Sequence, residues 1–273
     1  MKIQSTTSNY YSFKAGMSKK VLSEISHVDC AKVQRNIWAE NSIEADFANN
    51  KIIAWSVAKV VELLTELQKK YNQPFFAPIQ IKTASLEKYG MEKDKNGLYG
   101  FTNFLPQKFD KNSDEITPAM SIIFNKDFAW EKLDEISDID FAKNQTATDH
   151  FLESFLHEFF HVFHEGHLLS KYKTEKAISK LKDLSDCNRS QNFQNKYGDL
   201  ISEVICNYAK ESPFDLVACD MSKRFISSLD NQNLLKENPF ENSPYSKFYS
   251  FIKLFRKQNQ LDDLINSVYN GQI

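Results

Sequence analysis

Residues 151–167, FLESFLHEFFHVFHEGH, constrain the fold of this chain more than any other stretch. Leu156, Phe160 and Phe163 recur at spacings of four and three, which predicts a helix with a core-facing stripe. Four of the chain's six histidines fall on the same stretch, at 157, 161, 164 and 167. A buried helix carrying imidazoles and carboxylates must supply partners for them, because an unpaired polar group in an apolar interior costs on the order of 1–3 kcal/mol.

Within that stretch, His157-Glu158-Phe159-Phe160-His161 has the HExxH pattern. Residues four apart on a helix lie about 40° apart around its axis, so both imidazoles reach one metal ion and Glu158 lies beside a water on that ion. Zinc lowers the pKa of such a water towards about 7, and Glu158 can take its proton. The bland alternative is a helix with two ordinary histidines. Their clustering among Phe155, Phe159 and Phe160 favours the metal reading.

Two histidines and a water leave room for a third protein ligand. His167 stands where HExxHxxGxxH puts its third histidine, but residue 164 is His rather than the turning Gly of that pattern. His164 lies about 10 Å along the axis from His157, too far to share its metal. The expectation is a partly exposed His in the last helical turn, with Gly166 as the stop. Glu203, in GDLISEVICNYAKE, is a second candidate on a later helix, or else a solvated surface residue.

Asp215, in NYAKESPFDLVACD, is the third candidate, and its surroundings carry a resemblance. Tyr208, Asp215 seven residues on, and Ala218, with Ser212-Pro213 opening a helix, form a segment similar to the Tyr…Glu-Phe-Phe-Ala-Glu segment of the anthrax-lethal-factor-like zincins. The same segment resembles related metallopeptidase domains of phage head proteins and toxins. GLYGFTNF, SIIFNKDFAW, HEFFH and YAKESPFDLVA look like that family's β-hairpin, edge strand, HExxH helix and ligand-bearing helix, in order, over about residues 98–229.

The resemblance implies an α+β, mainly α, zincin-like metallopeptidase fold. It implies one zinc ion held by His157, His161 and Asp215, with Glu158 as general base and Tyr208 steadying the oxyanion. It further implies a protein or peptide substrate added along an exposed sheet edge, which it places on SIIFNKDF, and by analogy a toxin or effector protease. Two positions depart from the family: Asp215 is one methylene shorter than the usual Glu, and Cys219 replaces a second carboxylate. Asp215 also fits a purely structural role, since Ser212 as N-cap, Pro213 at the first helical position and Asp215 at the third make a capping-box-like start. The rival to a peptidase is a zincin-fold binding module that turns over little or nothing. Hydrolysis of a non-peptide amide is a third reading.

Elsewhere, sparse Gly and Pro (7 each) and apolar spacings of three and four predict mostly helix with a small mixed sheet. One helix is expected from about Ile43 to Tyr71, with Ala54, Val57, Val60, Val61, Leu64 and Leu67 on its stripe. Strands are expected in PIQIKTA, GLYGFTNF and PAMSIIF, with Gln107–Thr117 a mobile connection. Further helices are expected near 149–165, 170–184, 193–210, 213–229 and 246–270, with loops at Ser185–Gln191 and Asn231–Pro244. The first 15 residues read as a flexible arm and 16–273 as one domain.

A formal charge of −2 gives no electrostatic case for a nucleic-acid partner, and no apolar run approaches the roughly 20 residues of a membrane span. Cys30, Cys187, Cys206 and Cys219 form no CxxC pair, which points to a reducing compartment. The N-terminus shows no secretory apolar stretch, so the expected location is cytoplasmic, or secreted by a route without a classical signal. Lys171, Lys173, Lys176, Lys180 and Lys182 read as a solvated face.

Overall fold

A computed structural model describes residues 17–71, 79–89, 99–106, 118–172, 174–230 and 261–272. The described chain is mainly helical. Its helices are α1 (Lys19–Ser26), α2 (Cys30–Asn41), α3 (Lys51–Tyr71), α4 (Leu133–Ala142), α5 (Glu153–Lys171), α6 (Thr174–Ser185), α7 (Cys187–Val204), α8 (Pro213–Asp230) and α9 (Asp262–Tyr269). A four-stranded mixed sheet is built from β1 (Ile43–Asp46), β2 (Ile79–Ala84), β3 (Gly100–Pro106) and β4 (Pro118–Asn125), in the order β1-β2-β4-β3. The β1-β2 and β2-β4 pairs are parallel and β3-β4 is antiparallel, with Thr102 opposite Ile122.

Burial of an apolar stripe explains α3, whose Ala54, Val57, Val60, Val61 and Leu64 all lie in the core. The helix expected from Ile43 begins instead at Lys51, because Ile43–Asp46 pairs with β2 as a strand. Ala48 and Asn49 then take left-handed backbone, and Asn50 caps α3 by accepting the N–H groups of Ile52 and Ile53, both at 3.0 Å.

SIIFNKDF is not the sheet edge. It lies in β4, between β2 and β3, and Ser121, Ile123 and Asn125 are buried along with Met120, Ile122 and Phe124. A strand covered on both faces loses the polar alternation of an edge. The terminal strand on this side is β3.

The HExxH segment is α5, which is apolar nearly all round: Phe155, Leu156, Phe159, Phe160 and Phe163 are each at most 1% exposed. Gly166 does not stop it; the helix runs on to Lys171. The cause is α9, which lies over the second half of α5. Tyr269 stacks on His164 and His167, with ring centroids at 5.2 and 4.2 Å. His164 is therefore fully buried rather than partly exposed. Lys171, Lys176 and Lys182 are exposed, as a solvated face requires, and Lys171, Lys176 and Lys180 lie 5.1–5.5 Å from the centre of the Tyr172 ring. The loop expected at Ser185–Gln191 is taken up mostly by α7. The N-terminal arm, Gln107–Thr117, Asn231–Pro244 and 246–260 lie outside the described residues. No helix among the described residues is long and apolar enough to cross a membrane.

Candidate metal centre

Helices α5 and α8 pack against each other and bring His157, His161 and Asp215 together, with one donor atom from each within 4.8 Å of the others. Asp215 Oδ1 lies 3.5 Å from His157 Nε2 and 3.4 Å from His161 Nε2. These spacings exceed a good N–H···O bond of about 2.7–3.2 Å. They match the roughly 3.3–3.4 Å that separates donors placed tetrahedrally at about 2.0–2.1 Å from a zinc ion. His157 Nε2 is buried and makes no hydrogen bond, which suits a ring nitrogen that ligates a metal. The three residues therefore fit a metal ion.

Both roles expected of Asp215 meet in one carboxylate. Its N–H donates to Ser212 Oγ at 3.0 Å, and Ser212 Oγ–H donates to Oδ2 at 2.6 Å, so the cap occupies Oδ2 and leaves Oδ1 for the histidines. Burial opposes ionisation of Asp215, but the two histidines outweigh it and hold the carboxyl well below the usual range. His157 shifts the other way. Its burial is outweighed by Asp215 and Glu158, which push it up.

Neighbours fix the imidazoles. The His161 ring stacks on Phe214, next in sequence to Asp215, at 4.2 Å and 17°. The Nδ1 of His157 faces Cys219 Sγ at 3.5 Å, so a thiol rather than a carboxylate backs this imidazole. The Cys206 thiol and burial push Cys219 well up, which keeps it a neutral thiol.

Glu158 lies beside His157 at the foot of a cleft between β3 and the start of α8. Thr102 Oγ1 on β3 is 2.8 Å from Glu158 Oε2 and 3.1 Å from its carbonyl oxygen. Tyr208, in a short turn after α7, places its ring centre 5.4 Å from that of His157 and lines the same cleft. Burial, then the Asp215 and Glu158 carboxylates, push its phenol well above 10, so it stays a donor.

The other ligand candidates are elsewhere. Glu203 is exposed on α7 and outside the cluster. His167 Nε2 faces Asn270 Oδ1 at 3.3 Å and His164 Nε2 faces the Val268 carbonyl at 3.3 Å, both toward the C-terminal segment. Two residues near the site carry no sequence signal. Thr102 meets Glu158 across 56 positions. Glu153, one turn before His157, is buried and accepts the N–H groups of Ala147 at 2.7 Å and Thr148 at 2.5 Å, together with the Thr148 hydroxyl.

No protein-family model, curated protein or solved structure matches the chain.

Proposed function

We propose that the chain is a zinc metallopeptidase of zincin type, cleaving protein or peptide substrates. One observation carries the reading: His157 and His161 each hold a ring nitrogen within 3.5 Å of one Asp215 oxygen, beside the Glu158 carboxylate. Two neutral imidazoles and a carboxylate suit zinc, and the sequence resemblance to lethal-factor-like zincins points the same way.

His157, His161 and Asp215 would hold the ion. Bound there, zinc supplies Lewis-acid polarisation of a carbonyl and acidifies an attacking water. Glu158 takes the water's proton and delivers it to the leaving amine. Thr102 holds the Glu158 carboxylate in place through the 2.8 Å contact. Tyr208 donates its phenolic hydrogen to the oxyanion formed at the carbonyl carbon. The outer edge of β3 beside the cleft can align an extended peptide by main-chain hydrogen bonds.

The test is cleavage of an unfolded protein substrate by zinc-loaded protein, with and without chelator, alongside Glu158→Gln. Zinc-dependent cleavage that disappears in Glu158→Gln supports the reading. Stoichiometric zinc with no cleavage of any substrate would leave a zincin-fold binding module.

A further inference from the structure

A second cavity, of about 290 Å³, opens off the cleft. The two share Gly100, Glu158 and Tyr208, which form the mouth between them. Beyond the mouth, Tyr99, Asp140, Gln145 and Thr146 line this cavity alone. Its volume sits at the low end of ligand pockets, roughly 300–1,000 Å³, and suits one large side chain.

Apart from the ligand His157, the ionisable groups around this cavity that carry charge near neutral pH are acidic. No Lys or Arg lines it, whereas Asp140, Glu153 and Glu158 do. Glu158 is the base, and Glu153 is already committed to the N–H groups of Ala147 and Thr148 and the Thr148 hydroxyl. Asp140 remains. It lies in the last turn of α4, where the helix dipole disfavours a negative charge, and it forms no ion pair among the described residues. Its one side-chain partner is the Tyr99 hydroxyl, which donates to Oδ2 at 2.7 Å. An aromatic wall of Tyr99 and Tyr208 leading to a half-buried carboxylate without a counter-charge fits an apolar stem with a cationic head.

The strand direction says which residue enters. An extended peptide added antiparallel to β3 runs from the Pro106 end toward Gly100, so the part after the scissile bond reaches the mouth at Gly100. Resting on the peptidase reading, we infer that this cavity is a specificity pocket in which Asp140 selects Lys or Arg as the residue on the carboxyl side of the cleaved bond.

The test is digestion of a proteome-derived peptide library by the zinc-loaded protein, with the new N-termini identified by mass spectrometry. Lys and Arg should be enriched about tenfold or more over Leu and Met at that first position, as a charge-assisted hydrogen bond would give. In Asp140→Asn the enrichment should fall towards unity, with zinc content and thermal midpoint reporting that the variant is folded. If Asp140→Asn does not fold, Tyr99→Phe, which frees Oδ2, serves as the second variant and should alter the Lys-to-Arg ratio. Independently of turnover, zinc-loaded Glu158→Gln should bind a fluorescent peptide with Lys at that position more tightly than its Leu twin. Cleavage without this preference, a preference on the amino side, or a preference unchanged in Asp140→Asn overturns the inference and leaves the peptidase reading standing. No cleavage of any peptide by zinc-loaded protein overturns both.

Discussion

Comparing Ser212→Ala with Asp215→Ala separates the two jobs of Asp215, because they fall on different oxygens. Ser212→Ala removes the Oδ2 partner and the acceptor of the Asp215 N–H, leaving Oδ1 facing both histidines. Loss of such a cap costs about 0.5–2 kcal/mol, or roughly 2–6 °C in thermal midpoint for a chain of this size. Zinc affinity should weaken by about 10- to 100-fold at most, the range for a group that only supports a ligand. Asp215→Ala removes the cap partner and the ligand together. It takes away the single carboxylate at 3.4 and 3.5 Å from the two imidazoles, so zinc affinity should fall by well over about 100-fold. Glu203→Ala, at an exposed position on α7, should change stability by less than about 0.5 kcal/mol and leave zinc binding intact. Competition against a chromophoric chelator measures the affinities, and thermal unfolding of metal-free protein measures the midpoints. Zinc affinity in Asp215→Ala within about tenfold of wild type would refute the ligand assignment.

Glu158→Gln should keep stoichiometric zinc and lose about 100- to 10,000-fold in turnover, and Thr102→Val, which frees the carboxylate, about tenfold; an active Glu158→Gln enzyme removes the general base from the mechanism. His164 is pushed down to about 3 by burial and by His167 and His161, against 6.5 unfolded. Between those values the unfolded chain binds a proton that the native chain does not, so stability should drop as pH is lowered from about 6.5 to about 3, by up to about 1.4 kcal/mol per unit from this group. His164→Phe should flatten that acid limb in urea titrations without altering zinc stoichiometry, and an unchanged slope would show that the buried imidazole is not responsible. Tyr269→Ala, removing a ring that is 1% exposed and stacked on two histidines, should lower the thermal midpoint by roughly 10 °C. A shift below about 2 °C would mean that α9 contributes little to holding α5.

Patterns local to a helix could be read from residues alone; long-range packing could not. The apolar stripe of α3 and the course of α5 follow from spacing, and the pairing of His157 with His161 follows from one helical turn. The end of α5 does not, because Gly166 looks like a stop until Tyr269, more than a hundred positions on, covers the turn around it. Glu203, His167 and Asp215 each offer a carboxylate or imidazole donor, with Asp215 favoured by resemblance, and the packing of α8 on α5 is what brings it to the histidines. The edge strand also depends on packing. Ile43–Asp46 resembles the first turn of a helix, and PAMSIIF resembles either an edge or a centre, until the strand order decides. Thr102 is invisible for the same reason, since its value lies entirely in where β3 runs beside α5.

The proposed chemistry depends on one metal ion between two imidazoles and a carboxylate. X-ray absorption at the zinc edge of the loaded protein measures this directly. The expected spectrum has a shell of nitrogen and oxygen at about 2.0–2.1 Å, with the multiple scattering of two histidines and no sulfur. A sulfur shell near about 2.3 Å would bring Cys219 from behind His157 onto the metal, and scattering from one or three imidazoles would break the His157, His161, Asp215 set. Either result rules out the His157, His161, Asp215 site.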